Sequence, residues 1–217
     1  MIILSFDIGI KNLAYSIINY NNTQNSSNDI FEHMNIQEWH KIDLQSSKYD
    51  LDKITCNLLE VLDNITYNEI EDIHNEDVHV VIENQPALKS PTMKSIQIII
   101  YTYFNTICKY NSLSLKTKLI SAKSKNKYID SFNEFSKYMN DEASRFAKEH
   151  EEGKIKRVPK EKQGYAKNKD DSVQFTRWLF NNIINDEKHK TELESLKKKD
   201  DVCDSFLQGL YYISKLH

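Results

Sequence analysis

Glycine is scarce in this chain: only Gly9, Gly153, Gly164 and Gly209 occur in 217 positions. Glycines this isolated cannot build the loops whose successive backbone N–H groups cradle nucleotide phosphates, so no nucleotide cofactor is expected. Cysteine is equally sparse. Cys56, Cys108 and Cys203 are far apart and odd in number, which supplies neither a zinc spacing nor a disulfide framework. Free thiols in a reducing, intracellular compartment are the expectation. No apolar run approaches the ~20 residues of a membrane span. The opening residues also lack the basic-then-apolar layout of a secretion signal, so no membrane partner is expected. Net charge is only −3, which by itself argues against a generic polyanion binder.

The distribution of charge says more than its sum. Residues 60–77 carry seven acids and no Lys or Arg; residues 154–169 carry seven bases against one acid; residues 116–127 carry five bases and no acid. A surface divided in this way can hold a polyanion on one side despite a negative total. Solvated loops and helix faces are the competing account.

The rest of the chain is organised around its first strand. MIILSFD is an apolar run of strand formers that ends on a carboxylate, Asp7, so Met1–Ile8 reads as a strand buried on both faces. Gly9 in the following turn lets the backbone bend or a ligand come close. Leu13–Ile18 resumes as a strand, which makes a β-hairpin. Asn19–Asn28 is a loop, residues 31–44 a third strand, and Leu51–Ile65 an amphipathic helix. Val78–Glu83 is a second buried strand, again ending on an acid, broken by Asn84-Gln85-Pro86. Ser90 and Pro91 open a helix that runs through SIQIIIYTYFNTICKY, apolar nearly all round and so expected deep in the domain. Leu115–Ile120 is a short strand, Tyr128–His150 is hydrophilic and helical, and Asp170–Ile184 is an amphipathic helix. Asp201–Leu216 closes the chain as a helix whose inner face holds Val202, Phe206, Leu210 and Ile213. Removing residues 126–166 leaves a continuous α/β pattern. The expectation is therefore one domain over 1–217 with an insertion at 126–166, built on a three-strand antiparallel meander that feeds two further strands through helices.

Four acids stand in comparable places. Asp7 and Glu83 each end a buried strand, and Asp201 and Asp204, three apart in the last helix, share a face. A turn-capping role for Asp7 and a helix N-cap role for Asp201 are the competing readings. If the last helix crosses the sheet near those strand ends, all four carboxylates converge. Two like charges ~4 Å apart repel by about 4 kcal/mol at an effective dielectric near 20. A hard cation resolves this, and an all-oxygen set suits Mg²⁺ or Mn²⁺ rather than Zn²⁺. Two ions per site can clamp the attacking water and the leaving oxygen of a phosphodiester.

FDIGIKNLAY, VVIENQPALKSPTMKSIQ and KKKDDVCDSF, in that order, resemble the Holliday junction resolvases of poxviruses and other large DNA viruses. These are a branch of the RuvC-type group within the RNase H-like superfamily. The resemblance implies an RNase H-like mixed five-stranded sheet flanked by helices. It implies that Asp7, Glu83, Asp201 and Asp204 are the metal-binding catalytic acids of a Mg²⁺-dependent homodimer that cuts four-way DNA junctions symmetrically. It also implies a catalytic lysine in the basic motif before the penultimate helix, where Lys169 falls best and Lys167 second. Both would meet DNA, and Lys123 and Lys125 are expected to touch its backbone. A poxvirus-like life cycle would place the protein in the host-cell cytoplasm.

Among weaker readings, Asn12 supports the Asp7 turn and Gln85 orients Glu83 or meets a phosphate. Trp39 and Trp178 belong to a core or a dimer interface, and the seven histidines form no ligand spacing. Three other functions compete. FDIGIKNLAYSII also fits the start of an actin-like ATPase, but the chain is too short and its glycines too isolated. A binding module would gain nothing from four acids facing phosphates. A less selective nuclease acting on flaps, Y-branches or RNA–DNA hybrids shares every residue named above.

Overall fold

The computed structural model describes residues 1–21, 30–44, 50–70, 75–88, 90–149 and 160–216; the side chains of 142–149 and 160–170 lie outside the described set. The elements are β1 (Ile2–Asp7), β2 (Leu13–Tyr20), β3 (Met34–Ile42), α1 (Leu51–Asn64), β4 (Val78–Asn84), α2 (Pro91–Asn111), β5 (Leu115–Ser121), α3 (Ser124–Asp130), α4 (Asn133–Glu149), α5 (Lys160–Asn182), α6 (Glu187–Ser195) and α7 (Asp200–Ile213). Contacts divide the chain into a sheet unit, Met1–Ser124 with Asp201–His217, and a helical unit, Lys125–Asp200. The helical unit thus runs past Ala166, the expected end of the insertion, and takes in the rest of α5 and α6.

The five strands form one sheet in the order β3-β2-β1-β4-β5. β1–β2 and β2–β3 are antiparallel, whereas β1–β4 and β4–β5 are parallel. This is the mixed meander-plus-two sheet read from the sequence. All six residues of β1 are buried, as a strand paired on both edges and covered on both faces requires.

Alternation along the strands divides the core into two layers. Ile2, Leu4 and Phe6 of β1, with Val78, Val80 and Ile82 of β4, pack under Ile54, Leu58 and Leu62 of α1 and Ile96, Ile100 and Phe104 of α2. α1 starts at Asp50, whose side chain accepts the Lys53 N–H at 3.0 Å, an N-cap placed where the apolar periodicity begins. The opposite face carries Ile3, Ser5, Ile18 and Trp39 and is covered by α7. Phe206 meets Trp39 edge to face at 5.8 Å, and the Tyr212 hydroxyl reaches His79 Nδ1 at 3.0 Å.

Three readings of the helices need correction. α2 is not deep on all sides: Ile98, Tyr101 and Tyr110 are 49%, 37% and 77% exposed. It forms an outer layer with one face on the sheet, and apolar composition alone does not create a second neighbour. α7 is the reverse, with every residue from Asp201 to Leu210 buried instead of one inner face. α6 was not foreseen, because its sequence is hydrophilic throughout. It is capped by Asp186, which accepts the His189 N–H at 3.0 Å, and it is tied to α5 by the bidentate Arg177–Glu194 pair at 2.6 and 2.8 Å.

Within the helical unit, Phe132, Phe135, Phe175 and Trp178 form an aromatic cluster with ring centroids 4.9–6.2 Å apart. Trp39 and Trp178 are therefore core residues, 1% and 6% exposed. None of Cys56, Cys108 and Cys203 is in a disulfide. Among the described residues, no helix is long and apolar enough to cross a membrane.

Candidate active site

The parallel ladder between β1 and β4 runs from Ile2–Val78 to Phe6–Ile82. Asp7 and Glu83 are the next residues in step, on strands about 4.8 Å apart. Alternation puts both on the face opposite Phe6 and Ile82, the face that α7 covers. They stand at the carboxyl ends of the two central strands, where β1 pairs antiparallel on one side and parallel on the other. In open α/β sheets such a switch point is where ligands bind.

One glycine shapes the turn that follows Asp7, and a second lets the helix that carries the remaining acids approach the sheet. At Gly9, an added Cβ would sit 2.7 Å from the Asn12 carbonyl oxygen and 2.8 Å from its carbon, so the turn that follows Asp7 closes this tightly only around glycine. At Gly209, an added Cβ would sit 2.8 Å from Ile18 Cδ1, 3.5 Å from Ser5 Cβ and 3.8 Å from Ile3 Cγ2, so α7 lies directly on the strands there. Tyr212, further along α7, reaches His79, which is level with Ile3. α7 therefore runs against the direction of β1, and its N-terminal part approaches the Asp7 end. From Gly209 back to Asp204 is about 7.5 Å of helix, and from Ser5 forward to Asp7 is about 7 Å of strand. Asp204 comes level with Asp7, and Asp201 lies one turn beyond. Periodicity did not mark Gly209 as a site residue; a glycine inside a helix that is otherwise largely apolar was the available signal.

Asp7, Asp201 and Asp204 are 9%, 8% and 8% exposed, and Glu83 is half-buried. Among the described residues, no three His, Cys, Asp or Glu side chains are close enough together to hold a metal ion, so the structure places the four acids at one end of the sheet without closing them into a cage. By donor chemistry the set fits a hard divalent cation: it is all carboxylate oxygen, and three of its members are buried.

Of the predicted lysines, Lys123 is exposed just after β5 and Lys125 is half-buried at the start of α3. Lys167 and Lys169 fall in α5, with side chains outside the described residues. Gln85 is not a loop residue turned to solvent. It is 7% exposed, and its backbone N–H donates to Gln97 Oε1 at 2.8 Å.

The sheet order β3-β2-β1-β4-β5, with three antiparallel strands joined to two parallel ones and helices on both faces, is an RNase H-like fold. A family model described as mitochondrial resolvase Ydc2 / RNA splicing MRS1 matches residues 3–97. The chain is 31% identical over 153 residues to the Holliday junction resolvase of Fowlpox virus (strain NVSL), covering 68% of this chain and 83% of that protein. It is 30% identical over 173 residues to the uncharacterized protein L451 of Acanthamoeba polyphaga mimivirus, covering 76% of this chain and only 35% of that relative's length. The crystal structure of Fowlpox virus resolvase with substrate Holliday junction DNA shares the fold, at TM-score 0.57 and 23% identity over 100% of this chain and 99% of that one. This chain belongs to the Holliday junction resolvase family.

Proposed function

We propose that this protein is a divalent-metal-dependent endonuclease that resolves four-way DNA junctions by paired phosphodiester hydrolysis, acting as a homodimer during viral genome replication or maturation in the host-cell cytoplasm. The observation that supports this most directly is the placement of Asp7 and Glu83 in step on the two central parallel strands, with Asp204 brought level with them by the close approach of α7. Two Mg²⁺ ions, or Mn²⁺ in their place, supply Lewis acidity and a template for in-line displacement when bound.

The chain's own residues do the rest. Asp7 and Glu83 present carboxylates from the rigid sheet, and Asp201 and Asp204 present them from the helix across it. Lys169, with Lys167 as the alternative, neutralises charge that develops on the scissile phosphate. Lys123 and Lys125 contact backbone phosphates and add affinity that falls with salt. In a homodimer, each subunit's site faces one of two opposing strands, which accounts for paired cuts.

The test is cleavage of a labelled four-way junction beside linear duplex and an RNA–DNA hybrid, in Mg²⁺ and in EDTA. Paired, metal-dependent nicks confined to the junction are expected, and Asp7→Asn and Glu83→Gln should abolish cutting while leaving junction binding intact. Equal cutting of all three substrates would keep the nuclease and discard the junction. Unchanged turnover in either variant would discard this metal site.

A further inference from the structure

The two residues at which β4 leaves the sheet, immediately after Glu83, are both tied to α2, Gln85 to the buried amide of Gln97 and Asn84 to the Lys94 ammonium that meets the same amide. The Gln97 side chain is 0% exposed. Its Oε1 accepts the Gln85 backbone N–H at 2.8 Å and the Lys94 ammonium at 3.1 Å. The same ammonium donates to Asn84 Oδ1 at 3.1 Å. Two donors converging on one atom settle which end of this amide is oxygen. Among the described residues, the other end, Nε2, is buried with no hydrogen-bond partner. An amide that leaves half its capacity unused is an unfavourable filler for a helix–sheet interface, where leucine or methionine would pack without a polar group to satisfy. What the oxygen holds explains its presence.

The ladder between β4 and β1 stops at Ile82. Beyond it β4 is paired only to the edge strand β5, through Glu83–Ile120 and Asn84–Ser121. Pro86 then interrupts the chain with a residue that has no N–H to donate. The anchorage that β1 no longer supplies comes from the first two turns of α2, through Lys94 and Gln97.

We infer that Gln97, braced by Lys94, is a positioning residue for Glu83: Gln97 holds Gln85 by its backbone N–H while the Lys94 that it binds holds the Asn84 side chain, and together they set the direction in which the Glu83 carboxylate leaves the sheet. This rests on the reading of Glu83 as a metal-holding acid. Groups that orient a metal ligand from behind it are worth about 10- to 100-fold in metal affinity or activity.

Gln97→Leu removes the acceptor at similar volume, whereas Gln97→Glu keeps an oxygen for the Gln85 N–H and for Lys94. Three measurements on the full chain test the inference: hydrogen exchange at the Gln85 amide, Mn²⁺ affinity by electron paramagnetic resonance without DNA, and kcat and KM on a four-way junction. Gln97→Leu should expose the Gln85 amide and lower Mn²⁺ affinity and kcat by about 10- to 100-fold. KM for the junction should not move, and Gln97→Glu should restore all three readouts towards wild type. Wild-type Mn²⁺ affinity in Gln97→Leu, or equal defects in both variants, would overturn the inference. If Gln97→Leu does not fold, Lys94→Met, which removes the brace and its hold on Asn84 but leaves the Gln97–Gln85 bond, should show the same defects in smaller degree, and no defect there would overturn it too. A wild-type protein that binds Mn²⁺ and cuts no junction would refute the nuclease reading alone, because exchange and Mn²⁺ affinity still decide the role of Gln97. A wild-type protein that binds no Mn²⁺ would remove both.

Discussion

Replacing Asp7 by Asn separates the fold's interest in this residue from the site's. Asp7 and Glu83 are in step on strands about 4.8 Å apart. Their carboxylates, roughly 6 Å apart at the ends of side chains of unequal length, repel by about 3 kcal/mol at an effective dielectric near 20. Glu83 is half-exposed, and solvent screening reduces this to about 1 kcal/mol. Without divalent ions Asp7→Asn should therefore be the more stable protein, melting about 2–4 °C higher for a chain of this size. Mg²⁺ should reverse the order. At ~100 times its dissociation constant, an ion that binds only the folded state adds about 2.7 kcal/mol to wild type, and the variant, with one fewer anionic donor, should gain much less. Thermal melts followed by circular dichroism, in EDTA and across a Mg²⁺ titration, read both terms. Equal Mg²⁺ responses in the two proteins would refute the assignment of Asp7 to a cation site, and a variant that melts lower in EDTA would refute the repulsion argument.

Two further outcomes follow from the packing of α7. Gly209→Val drives its Cβ to within 2.8 Å of Ile18 Cδ1 with two methyls beyond, and overpacking of this kind costs about 1–3 kcal/mol. Gly209→Ala should stay near wild type, because about 1 kcal/mol of helix propensity offsets a contact that the Ile18 terminal methyl can relieve. Urea titration checks both, and a Val variant as stable as wild type would mean that α7 does not lie on the strands as described. His79, 5% exposed, sits between the Tyr212 hydroxyl at 3.0 Å, Asp77 Oδ2 at 3.1 Å and Lys116 Nζ at 3.3 Å. Burial holds its pKa below the ordinary histidine value, with Lys116 adding to this and Asp77 opposing it. A depressed pKa in the folded state means that this contribution to stability is present above about pH 6.5 and is lost as pH falls from there through the folded pKa. Unfolding free energies on either side of that window should fall more steeply for wild type than for His79→Leu, and equal slopes would assign the linkage elsewhere.

The strands were legible because each carries its own evidence. β1 and β4 are unbroken apolar runs closed by an acid and a turn, and nothing beyond a few residues is needed to see them. The acids were singled out on the same kind of evidence: Glu83 at the end of VHVVI and Asp204 inside a helix are places where structure alone asks for no charge. Legibility failed where burial depends on a neighbour. The outer face of α2 carries large apolar residues too, yet Ile98 and Tyr110 face solvent because the sheet occupies one side only. α6 has no apolar stripe to announce it, and its place rests on an Asp186 cap and the Arg177–Glu194 pair. Gln97 looked like any polar residue in a long helix until its oxygen was found between Gln85 and Lys94.

What the sequence determined by itself is therefore the strands, most of the helices, their order and the nomination of the four acids, since all of these are written in local pattern and in motifs. Tertiary structure alone decided that Asp7 and Glu83 stand in step, that α7 runs against β1, and that Gly209 lets it come close enough to bring Asp204 level with them. Register and helix direction are properties of pairs of elements, set by backbone hydrogen bonding and side-chain contact across the sheet. No single stretch of chain contains them.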